Sequence, residues 1–218
     1  MSKLALESGG HTCLLYEDFG QQKGVVLPFI YEGLKNSEHC LFLTRASLID
    51  DWSLEFQAYG IDVVGEIEKG SLALATAEQW RERPNFNSIV KARELWSLME
   101  SKLADFAGVR IVGDADWAFL EPAVGSDQLC HWEATANLVY EGEPVRTICM
   151  YDLNRHPPAD IRAALRTHAT AVVSGMRYDN PFFEAPRILQ NEPHMNNSDA
   201  DESMVEDMLY RLRSGLGS

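Results

Sequence analysis

From residue 11 onward, short apolar runs alternate with longer amphipathic stretches. His11-Thr12-Cys13-Leu14-Leu15-Tyr16, Cys40-Leu41-Phe42-Leu43-Thr44 and residues 71–76, 109–113, 145–151 and 171–176 read as strands. Residues 25–34, 47–59, 85–107, 126–140 and 158–168 read as helices, and residues 61–70 are short and mixed. In the 85–107 stretch Ile89, Ala92, Leu95, Trp96, Met99 and Leu103 recur close to the helical period. Ser47 is placed to cap the helix that Gly60 closes. Such alternation predicts an α/β fold with a mainly parallel sheet flanked by helices. The functional crevice of such a sheet lies at the carboxyl ends of its strands. That edge carries Glu17, Asp18, Arg45, Asp114, Asp116, Trp117 and Asp152.

The first strand runs into Glu17-Asp18-Phe19-Gly20-Gln21-Gln22-Lys23-Gly24 and then a helical stretch from Val25, the layout of a phosphate-binding loop. A Walker loop ends in Gly-Lys-Ser/Thr, so that backbone N–H groups wrap the phosphates and a hydroxyl reaches magnesium. Here the order is Lys23-Gly24, and Val25 stands where the hydroxyl is needed. Glu17 and Asp18 place negative charge where phosphate would arrive. The loop argues against ATP hydrolysis.

The 218 residues, 45% of them hydrophobic, suit one globular domain, or one domain with a tail. A net charge of −14 disfavours nucleic acid and anionic lipid as electrostatic partners. Cys13, Cys40, Cys130 and Cys149 include no Cys-x-x-Cys pair and read as free thiols of a cytoplasmic protein. Neither a secretory signal nor a run long enough to span a membrane is apparent.

After Asn180-Pro181-Phe182-Phe183 the composition shifts. Residues 186–202 read as an acidic, flexible linker. Residues 203–218 regain a helical period, with Met204, Val205, Met208, Leu209, Leu212 and Leu216 on one face. That face has either its own domain or another chain to dock on.

Asp114 and Asp116 follow a strand as a Walker B aspartate does, yet the P-loop half of a magnesium site is missing. Glu133 and Asn137 share a helix face, able to bind a polar ligand or to hydrogen-bond each other. The histidines show no metal-ligand spacing, so His11 and His168 read as capping or core groups. Cys149 lies in a buried-type strand and does not read as a nucleophile. Trp117, Phe119, Trp132, Tyr151 and Phe182 suit either plain core or an apolar pocket near the carboxyl edge.

The residues His11 to Tyr16, Gly33-Leu34, Cys40-Leu41-Phe42, Gly60-Ile61-Asp62, Gly70-Ser71-Leu72, Trp117, Glu133 with Asn137, Cys149-Met150-Tyr151-Asp152, His168 and Asn180-Pro181-Phe182-Phe183 together resemble the MEDS domain, the methanogen/methylotroph, DcmR-type sensory domain, over about residues 10–185. The resemblance implies a degenerate relative of KaiC/RecA-like ATPases that keeps the α/β core without a functional Walker A loop. It also implies a sensory role, usually beside a DNA-binding or kinase output domain. Asp114 where a glutamate is expected, Ala169 where a proline is usual, and Phe183 for a tyrosine depart from the pattern.

The expectation is a non-catalytic sensory module, residues 1–185, that binds a small organic ligand or a partner protein and signals to a separate output protein. Ligand contacts are expected from His11, Tyr16, Glu17, Asp114, Asp116, Trp117, Glu133, Asn137, Tyr151 and Asp152. Contacts to a partner or a second copy are expected from Met204, Val205, Met208, Leu209, Leu212 and Leu216. No catalytic residue, metal ligand or cofactor is expected. Two alternatives stay open: a nucleotide-binding protein or weak ATPase using Lys23 with Asp114 or Asp116, and a pure interaction adapter whose acidic surface meets a basic partner.

Overall fold

The computed structural model describes residues 10–81, 87–120, 123–191 and 200–215. The elements in chain order are β1 (His11–Tyr16), α1 (Phe19–Lys35), β2 (His39–Thr44), a 3-10 turn (Ala46–Leu48), α2 (Ile49–Ala58), α3 (Val63–Glu68), β3 (Leu72–Thr76), α4 (Ala77–Trp80), α5 (Ser88–Leu103), β4 (Val109–Asp114), a second 3-10 turn (Ala115–Phe119), α6 (Ser126–Tyr140), β5 (Val145–Asp152), α7 (Pro158–Thr167), β6 (Thr170–Val173), β7 (Met176–Asp179), α8 (Pro186–Asn191) and α9 (Glu202–Ser214).

The strands form one sheet of order β3-β2-β4-β5-β1-β6-β7, parallel except for the antiparallel edge strand β7. This is the α/β fold that the strand–helix alternation predicts. Every residue of β1 and β2 is buried, as expected for parallel strands covered on both faces. One face packs Leu14, Phe42, Val112, Ile148 and Met150 against α1, α2 and α3. The other packs Cys13, Leu15, Ile111, Val145 and Tyr151 against α5, α6, α7 and α9.

Several boundaries differ from the sequence reading. Only Glu17 and Asp18 separate β1 from α1. The Asp18 carboxylate accepts the Gln21 N–H at 2.9 Å and starts the helix at Phe19, not Val25. Gly20, Lys23 and Gly24 therefore lie within a helix. The run at 171–176 divides into β6 and β7 around Ser174 and Gly175, both at positive φ (50° and 74°) in a tight hairpin turn. The mixed 61–70 segment forms α3, with the Asp62 carboxylate capping Gly65.

The expected linker begins with α8, whose Leu189 is fully buried against Cys130, Ala134 and Ala163. In α9, Val205, Met208 and Leu212 enter the main core, and Leu209 packs on its margin. These residues are occupied within the domain and not free for a partner. A hydrophobic face on a short helix is stabilised by burial, and the chain's own core supplies it. Met204 remains 38% exposed, and Leu216 lies outside the described residues. Among the described residues no helix is long and apolar enough to cross a membrane.

Candidate functional site

Strand alternation aims Thr147, Cys149 and Tyr151 at the face that α6 covers. β1 lies parallel beside β5, in a register that sets His11 opposite Thr147. Helix α6 lays Glu133 and Asn137 over them, one turn apart. His168, where α7 passes into β6, closes the group. The His11 and His168 rings meet at a tilt of 47° with centroids 4.0 Å apart.

The hydrogen bonds orient every member. The Asn137 amide donates to the carbonyls of Glu133 (3.1 Å) and Thr167 (2.7 Å), so its oxygen faces His11 Nδ1 at 3.1 Å. His11 Nδ1 therefore carries the proton that this oxygen accepts. Its Nε2 points at Cys149 Sγ (3.2 Å) and Glu133 Oε2 (3.3 Å). His168 Nδ1 faces the Ala164 carbonyl at 2.7 Å and donates to it. His168 Nε2 is buried without a hydrogen-bond partner, 3.8 Å from Glu133 Oε2. Tyr151 donates its hydroxyl to Glu133 Oε1 at 2.9 Å, and Cys149 Sγ lies 3.5 Å from Glu133 Oε2.

Burial and the neighbouring His11 push His168 down to about 3, so its ring is neutral. Burial opposes ionisation of Glu133, but hydrogen bonds from His11 and the Tyr151 hydroxyl hold it below the usual carboxylate range. Burial and the Glu133 charge push the Cys149 thiol well up.

Glu133 and Cys149 also border a cavity of about 50 Å³ between α6 and the sheet. Leu43, Ile111, Trp80, Trp117 and Trp132 supply apolar walls. Gly113 opens one side: a Cβ built there meets nothing within 4 Å. The space suits a molecule of a few non-hydrogen atoms.

A second buried network occupies the carboxyl edge. Asp114 accepts from the Thr44 hydroxyl (3.0 Å) and the Asp116 N–H (3.1 Å). Asp116 pairs with Arg45 (3.0 Å) and Arg155, and with His156 Nε2 at 3.4 Å. His156 Nδ1 lies 2.9 Å from Asp160, whose other oxygen accepts the Ser126 hydroxyl at 2.5 Å. Burial and the Asp116 charge raise Asp114 to about 6. Asp116 is held low: burial opposes this, but His156 and the two arginines outweigh it. His156 is raised, because its bonds to Asp116 and Asp160 outweigh burial. Tyr151 stands between the networks, its ring 5.2 Å from His156 and 6.1 Å from His168.

Of the ten residues expected to contact a ligand, His11, Glu133, Asn137 and Tyr151 converge, and Trp117 walls the cavity beside them. Asp114 and Asp116 belong to the edge network. Tyr16 is buried on the opposite face of the sheet. Glu17 is exposed in the β1–α1 turn, and Asp152 accepts the Asn154 N–H at 2.9 Å in the turn after β5. Lys23 pairs with Glu55 at 2.8 Å. The sequence reading set Cys149 and His168 aside as core, and it missed Arg155, His156 and Asp160. Alternation in β5 is the signal that puts Cys149 on the Tyr151 face.

The model of the MEDS family, described as the methanogen/methylotroph, DcmR sensory domain, matches residues 10–169. The chain belongs to this sensory-domain family. No curated protein matches it by sequence. Among solved structures, it is similar to a KaiC-like protein from the hyperthermophilic archaeon Pyrococcus horikoshii OT3. The TM-score is 0.55 and the identity 15%, over 76% of this chain and 71% of that chain. That likeness is one of fold.

Proposed function

We propose that the domain is a non-catalytic sensor for a small molecule with an apolar body and one hydrogen-bond donor, held in the cavity between α6 and the sheet. The carrying observation is the cavity itself: tryptophan walls, with the Glu133 carboxylate and Cys149 thiol at one end. Few convergent polar groups in an apolar enclosure are what orient a small ligand. The signal passes to an output module.

The absence of a catalytic step is part of the same reading. The two-residue β1–α1 turn is supported by the Asp18 cap, and Lys23 is engaged by Glu55. Asp114 and Asp116 meet Thr44 and two arginines where an ATPase would hold magnesium.

The test is tryptophan fluorescence and melting temperature of the protein titrated with alcohols of one to four carbons. Saturable changes that disappear in Gly113→Val support the reading. Identical responses in both proteins, or none in the wild type, overturn it. ATP-dependent stabilisation lost in Lys23→Ala would favour the nucleotide-binding alternative.

A further inference from the structure

We propose that His11 Nε2, Glu133 Oε2, Cys149 Sγ and His168 Nε2 form a binding site for a divalent transition metal, with Zn2+ the best match. The four atoms lie within 4.8 Å of one another. Two nitrogens, one sulfur and one carboxylate oxygen form a donor set that tetrahedral zinc favours.

The spacing agrees with that geometry. Metal–ligand bonds of about 2.0–2.3 Å place tetrahedral ligand atoms about 3.3–3.8 Å apart. The separations are 3.2 Å for His11–Cys149, 3.3 Å for His11–Glu133, 3.5 Å for Cys149–Glu133 and 3.8 Å for His168–Glu133. These are four of the six edges of a tetrahedron, and the group as a whole spans no more than 4.8 Å.

Orientation is the second argument. Each histidine commits its Nδ1 proton elsewhere, His11 to Asn137 and His168 to a backbone carbonyl, which turns both Nε2 atoms inward. Tyr151 holds the other Glu133 oxygen. Outer partners of this kind fix the tautomer and angle of metal ligands. Within this group His168 Nε2 is fully buried, faces the other three ligand residues and makes no hydrogen bond. Glu133 is fully enclosed, and the ion pairs recorded for it are to histidines alone. A bound cation would offset the cost of burying its charge.

The four ligands come from β1, α6, β5 and the α7–β6 junction. No short sequence motif could reveal them. The proposal does not rest on the sensory reading. Metal binding without any alcohol response leaves it standing, and alcohol binding without metal overturns it alone.

The experiment strips the full chain with a chelator, adds Zn2+ or Co2+, and measures bound metal by elemental analysis and Co2+ absorption. The expected result is one equivalent per chain, tetrahedral cobalt bands and a thiolate-to-cobalt charge-transfer band. Cys149→Ser, nearly isosteric, should lose the charge-transfer band. Tyr151→Phe should keep the spectrum and bind about tenfold more weakly. Circular dichroism shows that each variant is folded. Substoichiometric binding by folded wild type, or a cobalt spectrum unchanged in Cys149→Ser, overturns the proposal.

Discussion

The edge network and the α6 cluster are both built from buried acids and histidines, but they balance charge differently. Around Asp116 the structure sets two guanidiniums and a histidine that is biased toward its charged form. Asp114, beside it, is biased toward protonation. The network sets Arg45, Arg155 and His156 against three acids, Asp114, Asp116 and Asp160. Around Glu133 stand a neutral His168, a thiol pushed away from ionisation and His11, whose Nδ1 proton is committed to Asn137. The first sets cations within ion-pair distance of its acids, although Arg45 Nε, Asp116 Oδ1 and His156 Nε2 are buried without a hydrogen bond. The second surrounds a carboxylate with two histidines, a thiol and a hydroxyl, and among the described residues its ion pairs are to the histidines. Burying charge without compensation is costly, so the two networks should respond differently when an acid is removed from each.

Removing the acid from the balanced network should have the largest effect. Asp116→Ala strands Arg45, Arg155 and His156. Breaking a buried pair costs about 3–5 kcal/mol. Both arginines are about one-third exposed and can turn outward, which argues for the low end, about 3 kcal/mol. A fall in the urea midpoint at unchanged slope would register this. A loss below about 1 kcal/mol would mean that the guanidiniums contribute little.

The next effect depends on pH. Asp114 is raised from 3.8 to about 6. The native state therefore holds this proton more tightly than the unfolded chain does. Its contribution to stability is complete below about pH 4 and is lost as pH rises through about 6. Asp114→Asn can still accept the Asp116 N–H and can donate its amide to the Thr44 hydroxyl oxygen, and it removes this limb. Relative to wild type, the variant should gain up to about 3 kcal/mol between pH 4 and pH 7.5. His156, also raised, loses its contribution at higher pH, as pH climbs from 6.5 through its folded value. Parallel curves for variant and wild type would remove Asp114 from the account.

The α6 cluster should respond more weakly when metal-free. Glu133→Gln can still accept from Tyr151 and strands no permanent cation. Its cost in the stripped protein should be about 1 kcal/mol or less. A loss near that of Asp116→Ala would erase the distinction between the clusters.

These contrasts were unevenly legible in the sequence. Apolar runs predicted β1 to β5 closely, because buried parallel strands leave little choice of composition. Glu133 with Asn137 was visible as a helix-face pair, and His11 and Tyr151 stood out through the family resemblance. Cys149 and His168 were quoted in that resemblance but set aside as core. Their roles depend on sheet register and on the placement of a helix end, which are tertiary facts. Lys23 and Gly24 suggested a loop because glycine marks turns, whereas the Asp18 cap and the burial of Val25 and Val26 carry the helix through them. The α9 face was read as needing a surface. Only the fold shows that the surface is its own core.

The smallest expected stability change tests the cavity beside Glu133. Gly113 lies in β4, where a β-branched residue suits the backbone. Its added Cβ would meet no atom within 4 Å. Gly113→Val should therefore fill the cavity with a stability change within about 1 kcal/mol, measured by urea denaturation. If the void were a packing defect, filling it would do nothing further. If it is the binding site, the alcohol-dependent fluorescence should vanish while cobalt absorption at the adjacent cluster persists. Loss of both signals would make the cavity and cluster one inseparable site. Retention of the alcohol response would place the ligand elsewhere on the sheet.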